Sequence, residues 1–180
     1  PTGFSADDLV SLSDALRAVH PEGPALVVLD YLQLVGNPEG ERLDLRERIG
    51  RAAYSGRIVA RDKNLSVLML SSISRTSYQL VDGKKALSAN TIRDDPDSAT
   101  RFVGLGKESG EIEFAADSVL CLTKGPPNKR PTGTPIRLAI AKVRAGRAGW
   151  RHLQFDGQTF TDNPPGRPNN AQSKRGCELP

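Results

Sequence analysis

Histidine and cysteine are almost missing from these 180 residues, with two of each. So few cysteines exclude a disulfide framework, and His20 and His152 stand without any Cys/His spacing that would hold a metal. Two isolated histidines give no Ser-His-Asp arrangement either. Cys121 stands in an apolar run and reads as a small core residue, whereas Cys177 lies in a polar tail; a reducing, cytoplasmic setting is the simpler expectation. No apolar run approaches the roughly 18 residues that span a bilayer, and no signal peptide opens the chain, so no membrane partner is expected. Aromatics make up only 5%. The one tryptophan, Trp150, reads as hairpin packing rather than as a platform for stacked bases.

Hydrophobic residues at 37% and charged residues at 26% suit one folded domain with a sizeable core. A net charge of +4 and a pI near 9.3 favour a polyanionic partner without naming one. Residues 1–162 read as one domain. Residues 163–180 are rich in Pro, Gly, Asn, Lys and Arg and read as a disordered tail or expression remnant. The chain opens at Pro1, directly before a helix, as an excised or processed piece would.

Ser5 followed by Asp8 marks a helix start, and Leu9, Leu12, Leu16 and Val19 recur on one helical face. Ala25 to Leu29 is a continuous apolar run, the pattern of a strand buried on both faces. A second helix is expected from Glu41 to about Lys63. It carries Leu45, Ile49, Ala52, Gly56 and Val59 on one face, with Asp44–Arg48 and Glu47–Arg51 spaced to pair. Gly50 and Gly56 weaken it locally. Ser66 to Leu70 is a second buried strand. Thr76 to Gly106 has no clear period, and Glu108 to Ala116 reads as a short helix. Ser118 to Leu122 and Ile136 to Val143 are further strands, and Trp150 to Phe155 with Thr159 to Thr161 form a closing hairpin across Asp156-Gly157. Strands alternating with helices imply an α/β sheet, parallel in its centre, with an antiparallel hairpin at one edge.

Chemistry concentrates at a few places. Leu26-Val27-Val28-Leu29-Asp30 puts a carboxylate at the C-terminal end of a buried strand, where ligands of open α/β sheets bind. In P-loop NTPases an acid at such a point helps hold Mg²⁺ against nucleotide phosphates. Lys142 and Arg144, two apart, share one side if both lie in a strand. They equally suit a cationic strand edge that resists aggregation. Arg75 suits a phosphate contact, because a guanidinium is planar and always charged. Gly110 would let backbone approach a phosphate closely.

The string Asp30-Tyr31-Leu32-Gln33-Leu34 closely resembles the metal-binding strand motif of DnaB-type replicative DNA helicases. The resemblance continues in order. It runs through Leu70-Ser71-Ser72-Ile73-Ser74-Arg75, then Lys107 to Asp117, then Ile140-Ala141-Lys142-Val143-Arg144-Ala145-Gly146, then Leu153-Gln154-Phe155-Asp156-Gly157. It covers about residues 25–162. It implies a RecA-like P-loop NTPase core, mostly parallel, using ATP and Mg²⁺. Asp30 would coordinate the metal through water. Ser72 stands where the family carries a glutamine that senses the γ-phosphate. Lys142 and Arg144 would reach a neighbouring subunit's ATP, and Arg75, Glu108 and Gly110 would face single-stranded DNA. The resemblance further implies a hexameric ring and, as partners, primase or a helicase loader.

No Gly-x-x-x-x-Gly-Lys-Ser/Thr occurs in the 180 residues. That loop supplies the backbone N–H groups and the lysine that cradle phosphates. The chain alone is therefore expected not to hydrolyse ATP. Two readings follow: part of an ATP-dependent helicase motor, or a non-catalytic RecA-like module that binds DNA or a replication partner. A recombinase or clock-type RecA relative is a third, weaker option, because the Asp30–Leu34 string fits DnaB better.

Overall fold

The structure, a computed structural model, describes residues 3–73, 96–105, 110–125 and 133–162. Helix α1 (Ala6–Val19) starts at Ser5, whose side chain accepts from the Asp8 N–H at 3.4 Å while the Asp8 carboxylate accepts from the Ser5 N–H at 2.7 Å. The Ser5 hydroxyl also donates to that carboxylate at 2.7 Å, and this bond, followed by the one from the Ser5 N–H, holds the Asp8 carboxyl below its ordinary value. Helix α2 (Leu45–Asp62) repeats the device with Asp44 and Glu47. Each reciprocal pair satisfies donors that a helix start leaves free.

Strands β1 (Leu26–Leu29) and β2 (Ser66–Met69) pair in parallel, with Leu26 opposite Ser66 and Leu29 opposite Met69. Both helices cover the same face of this pair. Leu9, Val27, Val59 and Leu65 form one buried cluster, and Ala6, Leu32, Val35, Ile49 and Ala52 form another. On the opposite face Leu26, Val28, Leu68 and Leu70 remain exposed. The expectation of strands buried on both faces is thus corrected: among the described residues only one layer of helix covers them.

Two further corrections concern the helices. The buried face of α1 runs through Ala6, Leu9 and Ser13, leaving Leu12 and Val19 exposed. Leu9 and Leu16 pack into the core as their spacing predicts, and contact with α2 draws the rest of the face toward Ala6 and Ser13. The pairs expected within α2 do not form. Asp44 and Glu47 spend their carboxylates on the cap, Arg48 donates to the Val35 carbonyl at 2.7 Å, and Arg51 pairs with Glu41 at 2.7 Å. The buried positions of α2 otherwise follow the expected face. Its two glycines have a packing reason: a Cβ at Gly56 would strike the Met69 methyl, and one at Gly50 the Glu111 carboxylate.

The C-terminal ends of both helices converge on one side chain. Arg17 donates to the carbonyls of Lys63 at 2.7 Å, of His20 and Gly23 at 3.1 Å each, and of Asn64. Asn64 takes φ of +48°, the left-handed geometry that ends a helix. Arg17→Ala removes a charged donor from four carbonyls. It is expected to cost about 1–3 kcal/mol in urea unfolding, the scale of hydrogen bonds to charged groups.

The remaining strands form an antiparallel sheet in the order β3 (Ser118–Lys124), β4 (Thr134–Val143), β5 (Gly149–Phe155), β6 (Phe160–Asp162). The closing hairpin is as expected. The mostly parallel core is not: β1–β2 is the one parallel pair among the described residues, and β3–β4 is antiparallel. Helix α3 (Pro96–Thr100) packs on this sheet. Trp150 anchors it, donating from Nε1 to the Ser98 hydroxyl at 2.8 Å and meeting Phe102 edge-on at 5.2 Å, while Arg137 lies 4.0 Å over its ring. Cys121 lies in the same core, and burial pushes its thiol up to about 11. Helix α4 (Gly110–Ala115) joins the two halves. Its Ile112 packs into the core beneath α2, and its Glu111 lies over Gly50.

Candidate functional site

Parallel pairing brings the C-terminal ends of β1 and β2 to one edge, and the chemistry-bearing residues follow at once. Asp30 comes directly after β1 and is exposed. Its carboxylate has no hydrogen-bond or ion-pair partner among the described residues. The Asp30–Tyr31 peptide is cis. A 3-10 turn over Leu32–Leu34 then folds back, anchored by Leu32, which is fully buried, and by its N–H donating to the Leu70 carbonyl at 2.9 Å. The Leu70 N–H in turn donates to the Leu29 carbonyl at 2.9 Å. The backbone on both sides of Asp30 is therefore stitched to the end of β2.

Gln33 adds a side-chain link. Its Nε2 donates to the Ser71 hydroxyl at 2.9 Å, and its Oε1 accepts from the Ser72 N–H at 3.1 Å. The Ser71 hydroxyl lies 3.4 Å from the Ser72 carbonyl. One amide thus grips the Ser71–Ser72 segment and leaves the Ser72 residue exposed at the edge.

The cationic pair lies elsewhere. Lys142 is in β4 opposite Val119, whereas Arg144 follows the strand's last residue, Val143. Lys142 donates from Nζ to the Glu113 carbonyl in α4. Arg144 pairs with Asp117 at 2.7 Å through Nε, and its N–H donates to the Asp117 carbonyl at 2.8 Å. Both cations therefore face the α4–β3 connection. The sequence expectation brought Lys142 and Arg144 of one subunit to the Asp30 edge of its neighbour, with the strands that carry them in one sheet. The sheet is corrected: β1 and β4 belong to separate sheets among the described residues, because no described strand pairs with both β2 and β3.

A sequence profile of the DnaB-like helicase C terminal domain matches residues 5–162. The chain belongs to this family. It is 28% identical over 141 residues to the replicative DNA helicase DnaB of Geobacillus stearothermophilus, covering 77% of this chain and 28% of that helicase. Among solved structures it is similar to a DnaB-like replicative helicase described with its interactions with primase. The TM-score is 0.64 at 22% identity, covering 88% of this chain and 34% of that one. It is also similar to the ATPase domain of G40P, with a TM-score of 0.67 at 22% identity, covering 89% of this chain and 52% of that one. The α/β fold is therefore that of the DnaB C-terminal domain, and the chain spans about a quarter to a half of these relatives' lengths.

Within the DnaB frame the expected site residues divide. Asp30 and Ser72 both follow the C-terminal ends of the paired strands β1 and β2 and are exposed. Lys142 and Arg144 sit together at the α4–β3 connection. Gly110 opens α4, and a Cβ there would meet nothing within 4 Å among the described residues, so packing among them does not demand glycine. Arg75 and Glu108 lie outside the described residues. No group of three or more His, Cys, Asp or Glu among the described residues could hold a metal unaided. A single unpaired carboxylate fits a metal whose other ligands are water and phosphate, as is usual for Mg²⁺. No helix among the described residues is long and apolar enough to cross a membrane.

Sequence reasoning missed two participants. Gln33 stood inside the motif string without a role, and Asp117 closed another string without being matched to Arg144. Charge alone signals the second pair; nothing local signals the first.

Proposed function

We propose that this chain is the C-terminal part of a DnaB-like, ATP-driven replicative helicase motor that translocates on single-stranded DNA and separates duplex. The observation that carries the reading is the exposed edge where Asp30 and Ser72 follow the C-terminal ends of two paired parallel strands, in a chain of the DnaB family. On this reading the phosphate-binding loop comes from a part of the protein outside these 180 residues.

Asp30 would hold Mg²⁺ through water. The ion, when bound with ATP, neutralises charge developing on the phosphates. Ser72 would stand near the γ-phosphate, where a short hydroxyl gives one hydrogen bond in place of an amide's two. Lys142 and Arg144 would turn from the α4–β3 connection toward the ATP of the adjacent subunit in a hexameric ring. Surface ion pairs contribute only about 0–1 kcal/mol, so release of Arg144 from Asp117 costs little. Arg75, Glu108 and Gly110 would line the path of the single strand, and primase or a loader would be the protein partner.

A second reading, a non-catalytic DNA- or partner-binding module, has one observation in its favour: Ser72 in place of the sensing glutamine. Hydrolysis assays separate the two. The full-length protein is expected to hydrolyse ATP faster with single-stranded DNA and to unwind duplex, with DNA affinity falling as salt rises. The 180-residue chain alone is expected to be inactive. A full-length protein without ATP turnover would favour the module.

A further inference from the structure

The ends of β1 and β2 carry different proposed tasks, and one side chain joins them. Gln33 lies three residues beyond Asp30, in the 3-10 turn that the buried Leu32 anchors. Its amide holds the Ser72 N–H at 3.1 Å and the Ser71 hydroxyl at 2.9 Å, residues nearly forty positions away in the chain. Only the amide's two ends, a donor and an acceptor on one rigid plane, make both bonds at once. A shift of the Ser71–Ser72 peptide must therefore pull on the turn that follows Asp30, or break two hydrogen bonds.

We propose that Gln33 is a positioning residue that sets Ser72 against Asp30 and transmits movement between the end of β2 and the nucleotide edge. The proposal rests on the helicase reading above, in which Arg75, three positions after Ser72 in sequence, contacts DNA. Coupling through contiguous hydrogen bonds requires an element that two sites both bias. The Gln33–Ser71–Ser72 link is such an element, with DNA acting on the β2 side and nucleotide on the β1 side. Gln33 touches neither ligand. Its effect falls on the alignment of Asp30 and Ser72, where an ångström of misplacement is worth up to about 10²-fold in rate.

The test compares ATP turnover of the full-length protein with and without saturating single-stranded DNA. Gln33→Met keeps the length of the side chain and removes both bonds. It is expected to lower the DNA stimulation of turnover by about 10-fold or more. KM for ATP should stay within about twofold, and the melting temperature within about 3 °C. Ser71→Ala removes one of the two bonds and should give an intermediate loss. The double variant should be no worse than Gln33→Met alone, because both changes cut the same link. Unaltered stimulation in Gln33→Met overturns the assignment, and so does a loss that merely tracks melting temperature or KM, since that is the mark of a loop staple. A fully additive double variant overturns it as well. A wild-type protein that DNA does not stimulate removes the helicase reading itself, and the Gln33 role with it.

Discussion

Arg144→Ala in the full-length protein is expected to lower ATP turnover by roughly 10³- to 10⁵-fold, the range measured for arginines that stabilise phosphoryl transfer from a neighbouring chain. Nucleotide binding should change far less, because the guanidinium acts on charge that appears in the transition state. Among the described residues the Arg144 side chain pairs with an exposed partner, Asp117, and it sits past the end of β4 rather than inside the sheet. A residue so placed is free to exchange an aspartate for a phosphate, and removing it leaves no buried charge behind. The fold should therefore survive. The trans character has its own signature. Subunits carrying Arg144→Ala and subunits carrying Asp30→Ala should each be inactive alone. Mixed rings should recover part of the turnover, since some interfaces then combine an intact Asp30 with an intact Arg144. Unchanged turnover in Arg144→Ala would remove the role. Mixed rings without recovery would place both residues in one subunit's site.

What the sequence discloses here depends on the distance over which each contact acts. The helix start at Ser5 is legible because a capping box spans four residues, whereas the second helix, expected from Glu41, begins only after its cap, Asp44. Asp30 at a strand end is legible because the apolar run before it is continuous. The sheet order is not. Ser118 to Leu122 has the same apolar character in a parallel or an antiparallel partnership, and only the register with β4 decides. The exposed faces of Leu26, Val28, Leu68 and Leu70 are hidden for a related reason: an apolar strand predicts burial on both sides, while cover depends on which elements are at hand. The ion pairs expected along α2 fail because caps and the Val35 carbonyl compete for the same side chains. Gln33 was unreadable because its two partners lie across the edge from it, and no spacing rule joins residues that far apart.

Asp30→Asn should reduce Mg²⁺-dependent ATP turnover in the full-length protein by at least about 10²- to 10³-fold, comparable to removing one preorganised electrostatic partner from an active site. The substitution keeps the size of the side chain and deletes its charge. Because the carboxylate is exposed and bonds to nothing among the described residues, no internal contact is lost with it. Thermal stability should therefore hold. The deficit should concentrate in the metal dependence: the Mg²⁺ concentration giving half-maximal turnover should rise, while ATP binding measured with the metal chelated should match that of the unaltered protein. A stability loss in proportion to the activity loss would mean that Asp30 serves the turn over Leu32–Leu34 and not the nucleotide. Turnover and metal dependence equal to the unaltered protein would place the ion elsewhere. The exposed edge of β1 and β2 would then lose its claim to be the catalytic one, because Ser72 by itself supplies neither charge nor a metal ligand strong enough to define a phosphate site.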